Sequence, residues 1–317
     1  MEFPNPKINF YKVRTLSEKL SVSFDFLRET WKPLLKFSFY LILPICLFQS
    51  FALNSSMKLL YTMGYDVGAG NDNIDIYNVM LNYMLYMLFV LFGTSVLNAL
   101  VYSLMSEYDQ RETRLVTITL QNFKSLLIKN TIKILRTYLL FIGALVLGSL
   151  FVALLLSIFS SPAFSVIFVL LLIVIIVGMF FMMVPLNLFM PIYLFEDISF
   201  SEALRKTFKY GFSHWGGTFM MLLIFGLLAY IISGLTTTPW YLVMIFGQVL
   251  SLTEQGAGIN VSIWYQFGSY LLGVLQSYGM YASYILTTVG IAFQYFHIRE
   301  KKEGITIDTN IQNFERL

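Results

Sequence analysis

Six long apolar runs alternate with polar stretches along this chain, at about 34–53, 79–105, 137–159, 164–190, 217–235 and 267–296. Each approaches or exceeds the roughly 20 residues that a helix needs to cross a bilayer. None holds an Asp, Glu, Lys or Arg near its centre. The pattern predicts an all-α, polytopic membrane helix bundle of six transmembrane helices. A further run at 239–250 is too short to cross and predicts a re-entrant or surface segment.

The polar stretches have their own pattern. Residues 15–31 read TLSEKLSVSFDFLRETW, and residues 199–215 read SFSEALRKTFKYGFSHW. Both begin with a capping box, Thr15 with Glu18 and Ser199 with Glu202, in which hydroxyl and carboxylate satisfy the free amides at a helix start. Apolar positions then recur at helical spacing: Leu16, Leu20, Phe24, Leu27 and Trp31, and again Phe200, Leu204, Phe208, Gly211 and Trp215. Charges such as Lys19, Asp25, Arg28, Arg205, Lys206 and Lys209 fall largely elsewhere. Each phrase therefore predicts an amphipathic interfacial helix with a tryptophan at headgroup level.

The two copies lie 184 residues apart and share Ser17/Ser201, Glu18/Glu202, Leu20/Leu204, Phe24/Phe208 and Trp31/Trp215. Two readings stand open. Interfacial helices converge on such patterns, or the chain repeats a unit of one interfacial helix and two spans. Residues 121–138, with Phe123, Leu127, Ile134 and Tyr138 opposite Lys124, Lys129, Lys133 and Arg136, would begin a third unit without a capping box. Since each unit adds two spans, the repeat would be parallel rather than inverted.

Charge adds orientation. Every basic residue except Lys58 falls before or at the start of the first span, between the second and third, between the fourth and fifth, or after the sixth. Basic loops stay cytoplasmic, so both termini are expected there. That gives one integral membrane domain over 1–317: a cytoplasmic segment at 1–33, the bundle at 34–296 and a cytoplasmic tail at 297–317. Residues 1–33 lack the short apolar core of a signal peptide. Composition agrees, with 57% hydrophobic and only 12% charged residues and a mean hydropathy of +0.70.

Candidate chemistry is sparse. His214 and His297 are the two histidines, Cys46 is the single cysteine, and no hydrolase, P-loop or metal-ligand spacing occurs. No catalytic residue, metal or cofactor is expected. Asp66, Asp72 and Asp75 read as a solvated turn in preference to a calcium site. The intramembrane polar candidates are Asn98, Asn187 and Gln276, either holding helices together or lining a cavity. Tyr278, Tyr281 and Tyr284 with Gly273 and Gly279 point to tight packing or a groove, and Pro44, Pro185 and Pro191 to kinks that free carbonyls.

Two passages carry a resemblance. MPIYLFEDISFSEALRKTFKYGFSHW supplies Pro191, Glu196, Asp197, Ser199, Glu202, Ala203, Leu204 and Thr207, and QYFHIREKKEGITI supplies Tyr295, Phe296, Arg299, Lys302, Glu303 and Gly304. Over about 185–307 the chain resembles prokaryotic six-span proteins related to the membrane domain of glycerophosphoryl diester phosphodiesterases; Thr207 departs from their more usual serine. The resemblance implies a helical membrane domain. It implies no phosphodiesterase activity, because the soluble catalytic domain of fused members has no counterpart here.

The expected function is thus a non-catalytic scaffold or accessory subunit of the prokaryotic inner membrane. Its partners would be the lipid bilayer, other membrane proteins and a lipid ligand, with no nucleic acid. The alternative is a carrier or flippase for a lipid or small amphiphile.

Overall fold

The computed structural model describes residues 6–68, 76–112, 114–115, 118–158, 162–253 and 263–305. Asp72 and Asp75 lie outside them, as does the last part of the tail. Eight helices form this part of the chain, and no strand occurs among the described residues: α1 (Leu16–Gly68), α2 (Ile76–Gln110), α3 (Leu120–Ile158), α4 (Pro162–Leu186), α5 (Phe189–Phe195), α6 (Phe200–Ser213), α7 (Trp215–Thr253) and α8 (Ile263–Glu303).

Five stretches are long and apolar enough to cross a membrane: Leu16–Met57, Ile76–Gln110, Leu120–Leu155, Val169–Phe195 and Trp215–Gly247. The sixth expected span falls within α8, which is long enough at 41 residues. Ser269, Gln276, Ser277, Ser283, Thr288 and Gln294 dilute its apolar character, and all six are buried.

Helices overrun the expected boundaries. The first phrase does not form a separate interfacial helix, because α1 carries it straight into the first span for 53 residues, about 80 Å at the α-helical rise. Residues 121–138 are likewise the first half of α3. The run at 239–250 is neither re-entrant nor a surface piece but the continuation of α7, with Pro239 inside the helix. Only the second phrase stands alone, as α6. There His214 breaks the helix with φ −129° and ψ 30°, and Gly216 and Gly217 follow where the first copy has Lys32 and Pro33.

The chain divides into two compact units: 1–30, 102–224 and 288–317 in the first, and 31–101 with 225–287 in the second. In the second unit the helices are joined by polar side chains at close approach. The Tyr281 hydroxyl donates to Gln49 Oε1 at 2.6 Å and occupies the space where Gly93 lacks a side chain. Trp240 Nε1 donates to Asn54 Oδ1 at 2.8 Å, Ser50 donates to the Tyr270 carbonyl at 2.8 Å, and Ser38 bonds the Tyr278 hydroxyl at 3.0 Å. The tyrosine-rich part of α8 is therefore tight packing. Where lipid is as apolar as leucine, such bonds and small residues hold helices together.

The first unit is organised around Phe10, which is fully buried. Its ring stacks on Tyr108, meets Phe26 and Phe293 edge-on and lies against Phe296. The chain leading to it is held by Ile8, whose N–H donates to the Tyr108 hydroxyl at 3.1 Å. That hydroxyl donates in turn to Glu29 at 3.0 Å.

Phe10→Ala should cost about 3–5 kcal/mol, the usual range for emptying an aromatic site. Denaturation in detergent should show the loss. Val13→Ala, at an exposed position, should be close to neutral.

Candidate functional site

The densest polar constellation lies in the first unit, where the two signature passages meet. Helix α5 ends at Glu196, a C-cap in right-handed conformation. Asp197 then adopts φ 50°, a left-handed conformation that aspartate tolerates better than most residues. The reversal sends the adjacent carboxylates to different helices. Asp197 takes Lys129 at 2.7 Å and Lys133, both from α3. Glu196, its side chain only 4% exposed, takes Lys206 of α6 at 2.5 Å.

Helix α8 completes the network. Arg299 approaches Glu196 at 3.7 Å and Glu303 at 3.0 Å, and Lys206 also reaches Glu303 at 3.0 Å. Tyr295 donates to Glu196 at 3.1 Å, and Tyr210 donates to Glu303. Arg299 donates to the hydroxyls of Tyr295 at 3.0 Å and Tyr11 at 3.3 Å. Two carboxylates, two cations and three phenols thus tie the N-terminal segment, the α5–α6 connection and the end of α8 into one neutral assembly.

Its electrostatics are those of a fixed network. Burial favours protonated Glu303, but hydrogen bonds from Tyr210, Lys206 and Arg299 overcome this and hold its pKa at about 2. Burial also opposes charge on Lys206, yet bonds to Glu196 and Glu303 leave its pKa raised. Each of the four charged groups is spent on a partner. The assembly holds structure; it offers no free base.

The capping boxes position these elements. Thr15 N–H donates to Glu18 at 2.7 Å and Glu18 N–H returns to the Thr15 hydroxyl at 3.4 Å. In the second copy Ser199 accepts the Glu202 N–H at 3.4 Å. Both phrases bury the same register of their helix: Lys19, Ser23 and Phe26 in one, Ala203, Thr207 and Tyr210 in the other. The apolar face lies outward. Phe24 and Trp31 are exposed, and Leu20, Leu204, Phe208 and Trp215 are half-buried.

Trp215 has a defined task. Pro185 has no N–H, so it cannot bond the carbonyl four residues back, at Phe181. The Trp215 indole donates to that carbonyl at 3.0 Å and stacks on the Phe181 ring. Gly211 lets α6 approach Pro185, since a Cβ there would come within 2.5 Å of the proline Cβ.

Sequence reasoning missed a second cluster. Lys19, assigned above to the polar face, is 5% exposed and donates to Gln294 Oε1 at 2.6 Å. Gln294 donates on to Thr218 at 3.2 Å. His297 is buried and accepts the Arg14 N–H at 3.0 Å. Its ring lies 6.3 Å from that of His214, edge to face. Burial, reinforced by Lys19, His214, Lys301 and Arg14, lowers its pKa to about 4. The one clue in the sequence was that Lys19 shares a helical face with Ser23 and Phe26.

The three intramembrane candidates fall in different units. Asn187 belongs to the first unit and donates to the Met183 carbonyl at 2.8 Å. Asn98 and Gln276 belong to the second. There Asn98 donates to the Thr94 carbonyl at 3.0 Å and bonds Tyr284, while Gln276 accepts from Ser277 at 3.2 Å. Among the described residues no group of three His, Cys, Asp or Glu gathers in a way that could hold a metal.

Glu196→Gln leaves two cations short of a buried carboxylate and should cost about 3 kcal/mol. Asp197→Asn, at a side chain 56% exposed, should cost less than about 1 kcal/mol. Equilibrium denaturation in detergent compares them. Glu303 adds a pH dependence with a definite sign. Its folded pKa lies below the ordinary 4.5, so its contribution is full above 4.5 and is lost as pH falls towards 2. Glu303→Gln should flatten melting temperature against pH in that window.

Compared with protein-family models, curated proteins and solved structures, the chain matches none.

Proposed function

We propose that this chain is a non-catalytic scaffold or accessory subunit of a prokaryotic inner membrane, with six spans and both termini in the cytoplasm. The observation that carries the docking role is the state of α3 and α4. No residue in the most apolar window of α3 is buried, and 11% are buried in that of the span reaching from α4 into α5. Gly143, Gly148 and Gly178 have nothing within 4 Å of where a side chain would begin. Ala144 and Gly148 form a small-xxx-small pair on α3, the spacing that lets another membrane helix approach closely.

The lower half of α3, by contrast, is anchored. Phe123, Leu127 and Ile134 are buried, Asn130 donates to Ser103 at 3.0 Å, and Lys129 and Lys133 hold Asp197. A fixed base with a bare upper half suits a surface offered to a partner spanning the same membrane.

Burial of α8 supports the count of six, because a span enclosed by protein tolerates serine and glutamine that lipid would not. An even count also places every basic residue but Lys58 on one side. The two interfacial phrases and the resemblance to the phosphodiesterase membrane domain belong to the same reading. The carrier alternative draws no support from Asn98, Asn187 and Gln276, whose bonding is largely local.

A photo-crosslinker at Leu147, an exposed position, should yield a discrete adduct with another membrane protein in native membranes. Lipid adducts alone, together with solute flux in liposomes, would overturn the docking role. Topology has a separate check: with Cys46 buried, Gly70→Cys should react with an impermeant maleimide from outside intact cells and Lys302→Cys should not.

A further inference from the structure

Lys19 poses a problem that the fold alone does not solve. Its ammonium is buried and bonded to a neutral amide, and neither it nor Arg14 takes part in an ion pair among the described residues. Glu18, one residue earlier, directs its carboxylate to Thr15. A buried cation normally has a paired anion, because losing water is otherwise uncompensated. Lys206 and Arg299, in the same unit, each have carboxylates. Lys19 does not.

The surroundings compound the excess. The charges acting most strongly on His297 are those of Lys19, His214, Lys301 and Arg14, and on His214 those of Lys301, Lys302 and Lys19. All are cationic or become so on protonation. His297 Nδ1 accepts the Arg14 N–H, so in the neutral ring the proton sits on Nε2, leaving that nitrogen a donor. Gly217 lets its backbone close on this cluster, since a Cβ there would lie 3.2 Å from Gln294 Nε2 and 3.8 Å from Lys19 Nζ, while beside it Gly216 faces open space.

We propose that Lys19, His214, His297 and Lys301, with Gln294 and Gly217 beneath them, form an anion site that takes a phosphate group. Lys19 supplies the fixed charge, the histidines supply directional N–H donors, and the open space at Gly216 supplies the approach. A phosphate oxygen accepts several charge-assisted hydrogen bonds at once, matching a set made of donors. The phosphate can belong to a lipid headgroup or be free in solution. The docking role of α3 and α4 does not depend on this site, and the two fail separately.

The test uses the full chain in a neutral maltoside micelle, with melting followed against inorganic phosphate at constant ionic strength and, separately, against added phosphatidic acid. The wild type should be stabilised by at least one probe. Lys19→Met should weaken that response about tenfold or more, as expected for losing a charged hydrogen-bond donor, and should melt no lower than wild type without probe. Lys124→Met, at an exposed lysine, should respond as wild type does. Gly217→Ala presses a methyl group onto Gln294 and Lys19 without changing charge and should also lose the response, which decides the matter if Lys19→Met fails to fold. A response to inorganic phosphate assigns a free-anion site, and a response to phosphatidic acid alone assigns a headgroup site. No response in the wild type, or an undiminished response in both Lys19→Met and Gly217→Ala, overturns the proposal.

Discussion

Glu196 is the residue on which the first unit turns. Its carboxylate is nearly inaccessible and meets cations from both α6 and α8. Isolated, such a charge would be strongly unfavourable. The α5–α6 connection, α6 and the end of α8 therefore have to arrive together: without the connection or α6 a charge is left unpaired, and without α8 Glu196 loses its second cation and the Tyr295 hydroxyl. Asp197 extends the same logic to α3. The left-handed turn at Asp197 makes two neighbouring carboxylates serve two different helices.

Much of this fold was legible from hydrophobic runs alone. Five of the six expected spans coincide with helices long and apolar enough to cross, and the helix caps sit where Thr15 and Ser199 announced them, the first as a closed box and the second through the Ser199 hydroxyl alone. The boundaries were not legible. Helical periodicity continues through Trp31 and Pro33 without interruption in α1, whereas His214 and the glycines after it interrupt the second copy. A sequence pattern marks where a helix begins more clearly than whether it stops, because a stop depends on what its end packs against.

In the repeated phrase the polar stripe is the one that meets protein, for a physical reason. In a water-soluble protein the apolar stripe of a helix faces the core. Here Phe24 and Trp31 are exposed while Lys19, Ser23 and Thr30 are buried. Beside a membrane the apolar stripe can face lipid, which leaves the polar stripe to meet protein. The same inversion explains why α8 holds no stretch as apolar as those of the other long helices and yet is rich in buried positions. It also explains why the ion network could not be found from charge spacing, since Glu196 and Arg299 are separated by about a third of the chain. In the proposed function the network fixes the base of α3, and the bare upper half of α3 is what a partner would meet.

A double-mutant cycle between Glu196→Gln and Lys206→Met tests the central claim most directly, with stability measured by denaturation in detergent. If the network closes the first unit through mutual neutralisation, each single substitution is destabilising and the pair together costs clearly less than their sum. Strictly additive losses would contradict the account, since they would mean that the carboxylate and the ammonium act independently of one another.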